Sequence, residues 1–240
     1  MTYVEGFVLA VPTAKKEDYR RHAQDGAALF RDYGARRMVE CWGDDIPDGK
    51  VNDFKGAVQA KPDETVVFSW FEYPDKAARD AANARMMADP RMEEMGADMP
   101  CDGQRMIFGG FDAIVDDRGD GAMGYVDGFL APVPDGNREA YRALAQQASD
   151  VFIEHGATRV VEAWADDVPN GKVTDYARAT HRKEGESVVF SWIEWPSKEA
   201  RAAGWEKVMA DERMRPEPEE ARPFDGMRMI YGGFTPIIEA

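Results

Sequence analysis

Two glutamates, Glu40 and Glu162, occupy matching places in the segments Glu40-Cys41-Trp42-Gly43-Asp44-Asp45 and Glu162-Ala163-Trp164-Ala165-Asp166-Asp167. Strand alternation puts Met38, Glu40 and Trp42 on one face, and likewise Val160, Glu162 and Trp164. A carboxylate taken out of water must gain a partner or hold a proton. In either state it is suited to general acid/base work or to anchoring a ligand. Arg105 and Arg228, on later strand-like segments, are the candidate partners. Tyr3, Glu5 and Ser69, with Tyr125, Asp127 and Ser191 as their counterparts, complete a set that could line a pocket with Trp42 and Trp164. A plainer reading makes Glu40 and Glu162 paired charges that fix strand register, and Glu5 and Asp127 edge-facing charges that aid solubility.

Other chemistries have less support. His22, His155 and His181 face Leu144, Tyr33 and Gln59 in the other copy, so the two copies share no histidine site. Cys41 and Cys101 are opposite Ala163 and Phe224, too few thiols for a disulfide framework or a zinc site. The acids Asp44-Asp45 and Asp166-Asp167 precede Pro-Asp-Gly and Pro-Asn-Gly, and a turn explains them without a metal. No metal site is expected. No Gly-x-Gly-x-x-Gly follows a strand and there is no P-loop, so no cofactor is expected either.

The pairing of these residues comes from a duplication. Tyr3 to Arg91 aligns without a gap on Tyr125 to Arg213 at an offset of 122, with 43 identities in 89 positions. Beyond Arg213 the second copy needs one extra residue. Domain boundaries are expected at residues 1–117 and 125–240, with a linker over 118–124.

Each copy reads as βαββαβ. Strands are expected at Tyr3–Val11, Arg36–Trp42, Thr65–Tyr73 and Arg105–Val115, and at the matching places of the second copy. Tyr19, Ala23, Ala27, Phe30 and Tyr33 mark a helix ended by Gly34. A second helix starts after Pro74 with Asp75 as cap and ends near Asp89. Val51 to Ala60 reads as a short extra strand. Such a unit leaves one sheet face uncovered, and the tandem copy can cover it. The fold class is therefore α+β, two ferredoxin-like repeats packed sheet to sheet. Glu40 and Glu162 are expected to point inward, with Val39 and Cys41 beneath the helices.

Formal charge is −15. An acidic chain repels phosphate backbones, which disfavours nucleic acid, and no nucleic-acid partner is expected. The longest apolar runs are too short to span a bilayer. The sequence leaves Met1 directly for a strand-like segment without a signal-type leader, so a cytoplasmic location is expected.

Tyr3-Val4-Glu5-Gly6-Phe7, Phe68-Ser69-Trp70, Met87-Ala88-Asp89-Pro90-Arg91 and Asp102-Gly103-Gln104-Arg105-Met106-Ile107-Phe108-Gly109-Gly110-Phe111 resemble the bacterial domain of unknown function 1428 family. The second copy resembles it through Tyr125 to Phe129, Phe190-Ser191-Trp192 and Asp225 to Phe234. The resemblance implies a dimeric α/β barrel, usually one copy pairing with a second chain, and no established activity. Where the first copy has Arg79-Asp80 and Asp89-Pro90-Arg91, the second has Arg201-Ala202 and Asp211-Glu212-Arg213, which implies a weakened second pocket. The expected function is binding, or transformation, of a small molecule in the barrel interior. The alternative is a non-catalytic interaction or stress-related protein with a filled barrel. The chain is expected as a monomer with an internal pseudo-two-fold, further pairing into a homodimer being left open.

Overall fold

Alternating strands flanked by capped helices recur in both halves of the computed structural model, which describes residues 2–215, 218 and 222–240. The first repeat runs β1 (Tyr3–Pro12), α1 (Lys16–Tyr33), β2 (Arg37–Asp45), α2 (Phe54–Ala57), β3 (Glu64–Tyr73), α3 (Lys76–Ala88), α4 (Pro90–Ala97) and β4 (Ile107–Arg118). The second runs β5 (Tyr125–Pro134), α5 (Arg138–Glu154), β6 (Arg159–Asp167), α6 (Tyr176–Ala179), β7 (Glu186–Trp195), α7 (Lys198–Ala210) and β8 (Ile230–Glu239). The one-residue insertion of the second copy lies between α7 and β8, partly outside the described residues.

Local signals account for the helix ends. The side chains of Asp75 and Ser197 accept from the backbone N–H of Ala78 and Ala200, which caps α3 and α7. Gly34 closes α1 at φ 120°, in the left-handed region that favours glycine. The segment expected as an extra strand is α2 instead. The Asp53 carboxylate accepts from Gly56 N–H at 2.7 Å and starts a helical turn, and Phe54 behind it is fully buried.

The strands close into one barrel in the order β1-β3-β2-β8-β5-β7-β6-β4. Every pairing is antiparallel, and each repeat keeps the ferredoxin-like order 4-1-3-2. The repeats therefore face one another and also join edge to edge, through β2 with β8 and β4 with β6. Closure leaves no sheet edge unpaired.

Side chains fill the lumen. Phe68 stacks on Phe190 with ring centroids 4.5 Å apart, and Trp70 on Trp192 at 4.4 Å. Phe54 and Tyr176, from the two short helices, complete the ring cluster near Phe234 and Phe111. Gly6 makes room for this packing, since a Cβ there would lie 2.8 Å from the Phe190 ring. Toward the Trp70–Trp192 stack, reciprocal ion pairs link the repeats: Arg37 donates to Glu194 at 2.6 Å and Arg159 to Glu72 at 2.7 Å. Among the described residues, no helix is long and apolar enough to cross a membrane.

Candidate functional site

The faces of β2 are the reverse of the expectation. Val39 and Cys41 belong to the lumen cluster with Phe68 and Trp70. Met38 and Trp42 belong to the outer cluster beneath α1 and α3. Glu40 lies on that outer face and meets α1, where the Tyr19 hydroxyl donates to its Oε2 at 2.7 Å. Both faces of this strand are buried, one by the lumen and one by helices, so its apolar alternation marks neither as interior. The side with a hydroxyl in reach took the carboxyl.

Arg105 is not the partner of Glu40. Its guanidinium forks onto Glu64 at 2.6 and 2.7 Å, with Asp102 on Nε at 2.9 Å and the Gln59 carbonyl on Nη1 at 2.9 Å. Arg228 repeats this with Glu186, Asp225 and the His181 carbonyl. The Arg105 fork holds the Glu64 carboxyl down at about 2. Both arginines therefore pin the start of β3 or β7 and the loop before it, where Gln59 and His181 sit at positive φ.

On the outer face of the first repeat the register sets Phe7, Ser69 and Glu40 in one row and Glu5, Phe71 and Met38 in the next. A cavity of about 480 Å³ opens between these rows and helices α1, α3 and α4. Seven of the chain's thirteen methionines line it: Met38, Met86, Met87, Met92, Met95, Met99 and Met106. Phe7, Phe30, Phe71 and Phe108 add ring surface. Methionine is flexible and polarisable, and surfaces rich in it adapt to ligands of varied shape.

Few polar groups reach this space. Glu40 is hydrogen-bonded by Tyr19 and Ser69, yet burial outweighs both bonds and pushes its carboxyl up to about 7. Glu5 is also raised, chiefly by burial, against Arg79 and Asn83, which favour its charged form. The Asn83 amide donates to Glu5 Oε1 at 3.2 Å, and Arg79 Nε stands 3.3 Å from the same oxygen. His22 lines the mouth from α1, its pKa lowered by burial. Cys101 lies near enough to feel Glu40, its thiol pushed up to about 11 mainly by burial.

Of the first-copy candidates, Glu5, Glu40 and Ser69 meet at this cavity. Tyr3 and Trp42 share the outer face but do not line it. Tyr3 donates to Asp166 of the second repeat at 2.9 Å, and Trp42 packs on Tyr19 beneath the Lys16 ammonium. In the second copy Tyr141 donates to Glu162 at 2.8 Å, and burial again raises that carboxyl to about 7 with Ser191 and Tyr141 opposing. Tyr125 donates to Asp44 across the repeats at 2.8 Å, and Trp164 packs on Tyr141. Asp127 takes the indole N–H groups of Trp195 and Trp205 and the Arg201 fork.

The paired acids of the β2 and β6 ends thus grip the other repeat. Asp44 and Asp166 take its first-strand tyrosine, and Asp167 takes Arg79 at 2.6 Å. Gly110 and Gly233 leave room for the Tyr3 and Tyr125 hydroxyls, so close approach accounts for them. Among the described residues no group of three or more His, Cys, Asp or Glu is arranged to hold a metal ion.

Sequence reasoning missed Asn83 and α4, whose methionines cover the cavity. The signal for α4 was Asp89 followed by Pro90, a cap with proline in the first turn. The partner of Glu40 was also readable, since Tyr19 recurs as Tyr141.

Two ferredoxin-like repeats closed into one barrel, with a pocket between sheet and helices, define a dimeric α/β barrel protein within a single chain. The chain belongs to the family described as Protein of unknown function (DUF1428), whose profile matches residues 2–103 and again 124–226. It is 60% identical over 117 residues to the uncharacterized protein YbaA of Escherichia coli strain K12, covering 49% of this chain and all of that one. The Shigella flexneri protein of that name matches to the same extent. Among solved structures, a protein from Fusobacterium nucleatum provisionally named a monooxygenase has a TM-score of 0.61 at 9% identity, over 99% of this chain and 93% of its own. Another so named, from Lactobacillus acidophilus, gives 0.59 at 11%, over 100% and 95%. At these identities the likeness concerns the fold.

Proposed function

We propose that the first repeat binds a small, largely apolar molecule against the outer face of its sheet, with the Glu40 carboxyl as polar anchor. The supporting observation is the methionine-lined cavity with a buried, hydrogen-bonded acid at its floor. Mostly apolar walls with few convergent polar groups are the usual make-up of a ligand site. Held near 7, the Glu40 carboxyl donates a hydrogen bond when neutral and accepts one when charged, so it can meet a carbonyl or a hydroxyl. The same poise suits proton exchange with a bound molecule. The lumen offers no such space, because stacked rings occupy it.

The test is mass spectrometry of small molecules released by denaturing the natively purified chain, beside Glu40→Gln and Ala23→Phe, the latter filling the cavity from α1. A compound retained by the native chain and depleted in Ala23→Phe is the expected result. Equal release from that variant, or none from the folded native chain, would sink the reading.

A further inference from the structure

The second repeat shows what fits such a pocket, because one of its own side chains occupies the matching place. Trp205 stands at the position of Asn83. Its indole Nε1–H donates to Asp127 Oδ2 at 2.7 Å, and its ring meets Phe152 edge-on with centroids 4.9 Å apart. Asp127 and Phe152 correspond to Glu5 and Phe30, which both line the first-repeat cavity. Phe129 and Met214, in the same cluster as Trp205, correspond to the lining residues Phe7 and Met92. In the first repeat the shorter Asn83 leaves that volume open.

We infer that the first-repeat pocket takes a planar aromatic molecule of about indole size, oriented with an N–H or O–H donor toward the Glu5 carboxylate. This rests on the binding reading above and narrows it to a ligand class and a pose. Asn83 and Arg79 both approach Glu5 through Oε1, and Oε2 takes no hydrogen bond among the described residues. A carboxylate accepts at both oxygens, so one acceptor remains for a ligand. Asp127 uses its two oxygens in this way, with Arg201 on Oδ1 and two indoles on Oδ2. Asn83 is thereby a residue that decides what the pocket admits: tryptophan there supplies the ring, and asparagine leaves the ring to be supplied.

The experiment is calorimetric titration of the full chain with indole and with benzothiophene, a fused ring of the same shape without the donor. Native chain, Asn83→Trp and Trp205→Asn are compared, with folding checked by thermal melts. The native chain is expected to bind one indole, and benzothiophene about tenfold more weakly, the loss of one hydrogen bond to a charged group. Asn83→Trp should lose indole by a similar factor or more, and Trp205→Asn should bind a second. Should Trp205→Asn not fold, the native chain and Asn83→Trp decide alone. Equal affinity for the two ring systems would overturn the donor pose and leave an apolar pocket standing. Indole binding unchanged by Asn83→Trp would overturn the placement. No binding of either compound would overturn the aromatic class, while the small-molecule release above still judges the broader reading.

Discussion

Glu40→Gln keeps the shape of the side chain and removes its titration, so the stability difference between native chain and variant should follow pH. Burial raises the Glu40 carboxyl from 4.5 to about 7. Between those values the folded chain holds a proton that the unfolded chain has released, and stability falls as pH rises through the window. Below 4.5 both states are protonated and this group costs nothing. Above about 7 the full cost is present, because the folded chain must then bury a charge. At 1.36 kcal/mol per pH unit the cost is about 3 kcal/mol, an upper figure, since water reaching the cavity lowers it. Glutamine stays neutral throughout and still accepts from Tyr19. At pH 8 the variant should therefore be the more stable chain by up to about 3 kcal/mol, or several degrees in Tm at this size. At pH 5 it should be equal to the native chain or about 1 kcal/mol worse, since an amide replaces the acid hydroxyl. Urea denaturation at pH 5, 6, 7 and 8 at fixed ionic strength measures the difference. A difference that stays constant across that series would refute a protonated Glu40.

Tyr176→Phe should raise stability by about 1 kcal/mol, because the Tyr176 hydroxyl is buried among the lumen rings without a partner among the described residues, and Phe54 holds the matching place. A loss of stability in the melt would mean that the hydroxyl is satisfied by bound water. Arg105→Met should cost about 2 to 3 kcal/mol by leaving the half-buried Glu64 without its charged hydrogen bonds. It should leave retention of the pocket ligand unchanged. Ligand loss from a chain still folded, measured by the same release experiment, would return Arg105 to the site.

The fold was legible because its signals are local or repeated. Pro74 and Asp75 mark the start of α3, Gly34 ends α1, and the duplication itself provides the second half of the barrel. Strand alternation made it legible that Met38, Glu40 and Trp42 share a face, and register then sets Glu5 and Ser69 on that face too. Which side of the sheet that face meets was not legible. Both sides of the strand are buried against mostly apolar side chains, and the partner that holds Glu40 on the helix side, Tyr19, lies some twenty residues earlier in the chain. Pairing Glu40 with Arg105 failed for a related reason. Opposite charges kept in both copies suggest a pair, but Glu64 and Glu186 are kept too, and the loop geometry at Gln59 and His181 chose them.

Arg79, which stands behind the cavity's Glu5, is itself held by Asp167 from the other repeat. The second repeat, in which Trp205 takes the place of Asn83, therefore still braces a residue that contacts its neighbour's Glu5. In a homodimer of single repeats every substitution is inherited by both sites, so a plugging tryptophan would close the two together. Fusion in one chain separates their fates: one copy can keep a ring of its own in that place while the other is free to vary.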